Sequence, residues 1–466
     1  MNTRTVPILN RRSVLAGLAG AGGALIGAAG PGLGAAAAGF ETASIRGSID
    51  ATELGVFPGT YDDQSKAFGR MLEAAADRGM PIALPAGNYV VSNVTLPRRV
   101  VLTGTPGTTR IIYGGDGHLF AAEGADHIEF SGLVIDGANR WLSEQVQGMI
   151  DARRVGRLVI DGCSLIGSGK NAVALERVGG RIERSTITGA AEAAIYSVDA
   201  QGLSIADNEI ADCGNGGILI HRWQAGEDGT MVTGNRIRRI AARNGGTGQY
   251  GNGINVFRAA GVIVSGNSLS DCAFSAIRSN SGSNIQVSGN TCLRSGETAI
   301  YSEFAFEGAV ISNNIVDGAA NGISIVNFNE GGRMGVCSGN VVRNLSEKGP
   351  YPADSPGFGV GITAEADTAI TGNIIENAPL YGMHLGWGPF LRNVTATGNV
   401  IRKAGTGIAV SVVEGAGAVV ISDNVISDVQ HGAIVGHRWA DAATGDLARI
   451  GNDGHAHLTV ERNHVG

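Results

Sequence analysis

The chain has 466 residues, a formal net charge of −7, 17% charged and 5% aromatic residues, and 74 glycines, roughly one residue in six. That glycine share is well above ordinary mixed α/β composition, and the length exceeds one typical domain core. A modest negative charge with no basic block excludes an electrostatic case for nucleic acid as a partner.

The first forty residues stand apart. Arg11 and Arg12 precede a weakly hydrophobic Gly/Ala run that ends in small residues near Ala38. This pattern resembles a bacterial twin-arginine export signal, residues 1–38, although Val14 and Ala16 depart from its preferred flanking residues. The resemblance implies the twin-arginine export machinery as a partner and a periplasmic or secreted location. Glycines interrupt the apolar run, which argues against a stable membrane span, and none is expected in the mature chain.

Residues 39–124 read as an N-terminal cap with the first coils. Within them, Ala67, Phe68, Met71, Leu72, Ala75 and Ala76 recur at helical spacing, with Asp62 or Asp63 near the start and Gly79 at the stop. "MPIALPAGNYVV" follows, giving two short strands about a Pro-Ala-Gly-Asn turn.

From about residue 125 to 466 the sequence repeats. Short alternating strands recur around Asn208, Asn235, Asn267, Asn290, Asn314, Asn340, Asn373, Asn399 and Asn424, at intervals of about 25 residues with occasional longer ones. None of these strands is long enough for a stable helix, and a period without a helical half excludes leucine-rich and ankyrin arrays. The pattern predicts a single-stranded parallel β-helix, each unit forming one coil whose strands pair with those above and below. A β-propeller is the alternative, but it needs two units per blade, and irregular spacing suits loops on a coil better. The asparagines are assigned to the scaffold: asparagine tolerates left-handed backbone, bonds within a bend, and stacks from coil to coil. Cys163, Cys213, Cys272, Cys292 and Cys337 lack metal or redox spacing and read as small buried hydrophobes.

The "DDQ" before the helix, "LPAGNYVV" after it and the Asn-centred coils resemble the pectate-lyase-like right-handed β-helix superfamily. With the leader, the whole chain resembles a bacterial family of twin-arginine-exported repeat proteins whose activity is undefined. The fold this implies is an all-β right-handed solenoid with a short N-terminal capping helix. The catalytic motifs of polygalacturonase-like and alginate-epimerase-like members are not reproduced here.

Candidate chemistry follows from register, because side chains alternate across a strand. Two copies of His-Arg-Trp, at His221–Trp223 and His437–Trp439, share one outward register but lie eight coils apart, about 38 Å at the usual strand spacing. They therefore cannot belong to one centre: each reads either as an independent contact on a long face or, by preference, as the structural start of a polar loop. A denser group falls on adjacent coils: Arg278, Asn280, Tyr301 and Glu303, with Phe257 and His221 below. Glu303 and Glu330 are the candidate catalytic carboxylates, since a glycosidase needs two. Arg278, Tyr301, Asn280, Phe257 and His221 are candidate substrate contacts.

His455 and His457, near Asp453 and His464, share a strand face but lack further ligands at fixed spacing, so no metal site is assigned. No cofactor is evident, and a divalent cation such as calcium stays open. The expected function is binding or cleavage of a polysaccharide, by a lyase or glycoside hydrolase reaction. The alternative is a noncatalytic envelope or interaction scaffold, and the oligomeric state is open.

Overall fold

The computed structural model describes residues 47–466 other than Thr60, residues 327–330 and Asp453. Arg11 and Arg12 with the 1–38 leader, and the candidate Glu330, lie outside the described residues. Each coil of the remainder contributes one strand to each of three ladders. In one coil these are Ile285–Ser288, Thr291–Leu293 and Thr298–Glu303. The next coil repeats them as Glu307–Ser312, Ile315–Ala319 and Asn321–Val326, paired in parallel and in register.

The first ladder is a 16-stranded sheet from Ile49–Asp50 to Leu458–Glu461. The other two join into a 27-stranded sheet because Ile374–Leu385, Val400–Ser411 and Val425–Arg438 each run through a corner unbroken. Among the described residues every named strand pair is parallel except Asp441–Asp446 on Val425–Arg438. This is a parallel β-helix, and its pairing rules out a propeller. The two strands about Pro85–Asn88 do not pair with one another. Ile82–Ala83 joins the first ladder and Gly87–Val91 pairs with Thr109–Tyr113, so the turn is a corner of one coil.

The core is built from columns of branched aliphatic residues. Ile195, Ile218, Ile254, Ile277, Ile300, Ile323, Ile362, Met383, Ile408 and Ile434 are successive partners in one column, all fully buried. Each such side chain contributes about 1.5–3 kcal/mol by leaving water. All five cysteines are free and buried. Cys292 takes a place between Leu269 and Val316 in such a column, where only its apolar volume matters.

The recurring asparagines form an internal stack. Asn290, 1% exposed, accepts from the backbone N–H and side-chain Nδ2 of Asn267, each at 3.0 Å. Its own Nδ2 donates to Asn314 Oδ1 at 3.0 Å and to the Val264 carbonyl at 3.0 Å. The same contacts link Asn208 through to Asn424 and continue to Asn463. One part of the expectation is corrected. The left-handed residue of each bend is the one before the asparagine, such as Gly266, Gly289 and Asn313, so the asparagine's task is bonding between coils rather than tolerating strain.

The helix Ser65–Arg78 turns Phe68, Met71, Leu72 and Ala75 inward, and Phe68 lies 6.3 Å from the Phe120 ring. Asp63 accepts from the Ser65 N–H at its start, and Gly79 closes it in the left-handed conformation. It packs on the first strands of the solenoid and so covers an edge that would otherwise offer unpaired backbone groups.

Candidate functional site

The strands of the third ladder present two outward columns. One runs Asp151, Ala174, Tyr196, Leu219, Asn255, Arg278, Tyr301, Ser324, Thr363, His384, Ala409 and Val435. The other includes Arg153, Glu176, Val198, His221, Phe257, Asn280, Glu303 and Val326. His221 and His437 share the second column and are separated by eight strand steps. The first His-Arg-Trp does not open a loop: it lies within the strand Gly216–Glu227. The second ends its strand at Arg438 and turns into Asp441–Asp446.

Arg278, Asn280, Tyr301 and Glu303 come together, but they are covered rather than exposed. Glu303 is 2% exposed. Arg278 grips it bidentately, Nε to Oε1 at 2.7 Å and Nη2 to Oε2 at 3.0 Å, and Asn280 Nδ2 donates to Oε1 at 3.0 Å. The guanidinium also lies over the Tyr301 ring, 5.0 Å from its centroid. Arg278 Nη1 approaches Glu297 Oε2 at 3.5 Å, an ion-pair distance without hydrogen-bond geometry. Burial alone would lower the Arg278 pKa, but Glu303 and Glu297 hold it above the ordinary value. Gly248 lies against this guanidinium, and a Cβ there would overlap Nη1.

Beside the cluster is a cleft of about 520 Å³ whose lining includes Glu297, Tyr301, Glu303, Ser324, Val326, Tyr351, Glu365, His384 and Trp387. Segment 351–358 supplies one wall, with Tyr351, Asp354 and Phe358. Tyr351 Oη donates to Glu297 Oε1 at 2.5 Å, and its ring stacks near Phe274 and lies tilted against Phe358. Burial raises the Glu297 pKa, and the Tyr351 bond and the Arg278 charge pull it only partly back. Burial and the Glu303 charge push the Tyr301 phenol upward. His384 is depressed to about 4 by burial and by nearby His437, so its imidazole is neutral near pH 7.

Glu365 directly follows Ala364, which pairs with Ile325, just as Val326 follows Ile325 and pairs with Glu303. It therefore continues the second column two strand steps from Glu303, about 10 Å along the backbone at the usual spacing. Sequence reading passed over Glu297, Tyr351 and Glu365. A signal for Glu365 existed: "GITAE" at 361–365 matches "AIYSE" at 299–303 in placing glutamate three residues after the inward isoleucine.

His221 and Phe257 lie outside the cleft, three and two steps from Glu303 in the same column. The His221 ring meets Tyr196 and Phe257 edge-on at 5.5 and 5.6 Å, and burial depresses its pKa to about 4. Among the described residues no group of three or more His, Cys, Asp or Glu is placed to hold a metal ion. His457 Nε2 lies 3.1 Å from the Ser411 carbonyl oxygen. No described helix is long and apolar enough to cross a membrane.

These ladders and corners define a parallel β-helix solenoid. The profile of the right handed beta helix region matches residues 120–243, 171–331 and 220–401, overlapping stretches covering more than half the chain, and the chain belongs to that family. No curated protein sequence matches it. Among solved structures it is similar to the N-terminal fragment of bacteriophage phi29 gene product 12, at 16% identity and TM-score 0.59, covering 85% of this chain and 73% of that one. It is also similar to the pre-mature form of that gene product, at 14% identity and TM-score 0.55, covering 85% of this chain and 58% of the other. The catalytic unit of an α-1,3-glucanase from Streptomyces thermodiastaticus strain HF3-3 is a more distant similarity, at 14% identity and TM-score 0.41, covering 90% and 69%. At these identities the likeness is one of fold.

Proposed function

We propose that the cleft binds an uncharged polysaccharide and hydrolyses it, with Glu303 and Glu365 as the catalytic pair. The observation that carries this reading is the placement of these two glutamates on one column with Val326 between them in the floor of the cleft. Glu297 and Glu303 make a poorer pair, because the Arg278 guanidinium contacts both. A sugar lying over Val326 would have a carboxyl on either side and the faces of Tyr301 and Trp387 to rest against.

Glu303 accepts three hydrogen bonds, leaving about one lone-pair position for a water proton. Glu365 then donates its proton to the glycosidic oxygen as the bond from C1 to that oxygen breaks. Water adds to C1 and gives its proton to Glu303. Two strand steps, about 10 Å along the backbone, are well beyond the roughly 5–5.5 Å of retaining pairs and nearer the roughly 6.5–9.5 Å of inverting ones, so the reading expects inversion. Glu297, Glu303, Asp354 and Glu365 make the lining acidic, and Arg278 is already engaged, so a uronate substrate would meet repulsion. Hydrolysis of a neutral glycan thus fits better than lyase chemistry.

The test is incubation of the purified protein with neutral and uronic-acid polysaccharides. The reading expects new reducing ends without unsaturated product, and loss of turnover with retained binding in Glu365→Gln. Unsaturated uronate products, or normal turnover in that variant, would refute it.

A noncatalytic recognition scaffold is the second reading, favoured by the ion pair that occupies both Glu303 oxygens. In either case the Arg11/Arg12 leader supports export to the periplasm or beyond by the twin-arginine machinery.

A further inference from the structure

A second cavity, of about 320 Å³, opens on the same two outward columns, lined by Gln147, Asp151, Arg153, Glu176, Tyr196 and Trp223 among others. Trp223 is 60% exposed, a large aromatic face left in solvent at the rim of a cavity. It is nevertheless held in place. The contacts are to its backbone, which fixes where the ring projects from: the backbone N–H donates to Asp199 Oδ1 at 3.3 Å and the backbone carbonyl accepts from Arg258 Nη1 at 3.1 Å. Opposite it the polar groups are planar and anchored: Asp151 is buried and accepts from Arg153 Nε at 2.9 Å and from the Gln147 N–H at 2.6 Å.

We infer that this cavity is a second glycan subsite, and that the ligand is a linear polysaccharide running along the solenoid axis from Trp223 to the Glu303 cleft. The inference rests on the glycan reading of that cleft. Tyr196 and Tyr301 belong to one column, four strand steps apart, about 19 Å at the usual spacing. The surface between them carries His221 and Phe257 in edge-on contact, with Arg258 over the Phe257 ring at 4.7 Å. An aromatic face for the carbon-bound hydrogens of a sugar ring, beside carboxylate, amide and guanidinium groups for its hydroxyls, is the chemistry an uncharged sugar requires. One chain filling both places gains from linkage: once the cleft holds one end, the second contact is intramolecular.

The experiment is affinity electrophoresis of the full chain through gels containing soluble α-glucan, β-glucan, mannan or xylan, followed by titration with fragments of whichever polymer retards it. Trp223→Ala is expected to weaken binding of fragments longer than the four-step span about tenfold, while fragments too short to span it bind as to the unaltered chain. Trp223→Phe should restore most of the loss, and because the side chain is exposed, both variants should fold. Equal weakening for short and long fragments, or none for either, would overturn the second subsite and leave the cleft reading standing. No retardation by any of the four polymers would overturn both. Loss of turnover but not of long-fragment binding in Glu365→Gln would show the two places acting separately, as expected.

Discussion

Replacing Asn290 by leucine tests whether the asparagine stack holds the coils together. Leucine keeps the branched four-atom outline, with somewhat bulkier methyl groups, but removes the carboxamide. The Asn267 backbone N–H, which donates to Asn290 Oδ1 at 3.0 Å, then faces an apolar side chain in the buried interior. Asn267 Nδ2 keeps its bond to the Val232 carbonyl, and Asn314 Oδ1 keeps the Asn290 backbone N–H, so these groups are weakened rather than orphaned. One stranded buried donor, together with the lost bonds from Asn267 Nδ2 and from Asn290 Nδ2 to Asn314 Oδ1 and to the Val264 and Ser288 carbonyls, amounts to about 3–5 kcal/mol. That is a large fraction of a folded protein's usual margin. Urea unfolding followed by far-ultraviolet circular dichroism should show a clearly lower midpoint at similar slope. Asn463→Leu is the control. At the last rung Asn463 is half-buried and bonds to Asn424 and the Ile421 carbonyl, with no further asparagine beyond it, so its loss should be smaller. An unchanged midpoint in Asn290→Leu, or an equal loss at Asn463, would refute the stack as a cumulative source of stability.

Glu303→Ala should cost about 3–5 kcal/mol, because Arg278 is left buried without its main counter-charge, whereas Glu303→Gln should cost less; thermal melts distinguish them. Gly248→Ala should shift Arg278 away from Glu303 and lower cleft affinity without touching a ligand, checked by titration with the retarding polymer. His221 and His384 are both depressed from 6.5 to about 4, so the unfolded chain takes up their protons first. Stability from keeping them neutral is present above pH 6.5 and is lost as pH falls towards 4. Melting temperature should drop across that window, and His221→Phe should flatten the drop; an unchanged profile would refute burial as its cause. Changing Arg11 and Arg12 to lysine should leave an uncleaved precursor in the cytoplasm, read by fractionation and immunoblot, and efficient export would refute the twin-arginine assignment.

The fold was legible because its constraint is repeated in every coil. A parallel solenoid needs an inward aliphatic residue and a bend at each turn, and the Ile/Val-x-x-Asn and Gly-Ile spacings report both many times over. Even the two outward columns could be written down from alternation alone, since a strand's side chains change face at every residue. What alternation does not report is which atom of a bend is strained. The positive φ belongs to Gly289 and its equivalents, and the buried, doubly bonded carboxamide of Asn290 is visible only once the coils are stacked.

The site was harder to read for the opposite reason: it occurs once, where the period breaks. The interval from Asn340 to Asn373 holds the added segment that carries Tyr351 and Phe358, and its length hides the coil of Val360–Ala364. Glu365 was therefore missed although it repeats the position of Glu303. Glu297 was missed because it precedes its strand and points at nothing until the Tyr351 hydroxyl meets it from a segment 54 residues later. Arg278 and Glu303 were found, yet their burial was not, since the outward face of a strand is exposed only where no loop crosses it. The same reasoning gives the added segment its meaning. A bare outward face of a solenoid is flat and wet, and a carboxylate there is an ordinary surface group. Tyr351 closing over Glu297 makes a wall, the wall makes a cleft, and the cleft removes water from three glutamates at once. Charge that would be screened on an open face is felt more strongly there, which is why the proposed catalytic residues are sought beside this 33-residue interval rather than on the regular coils.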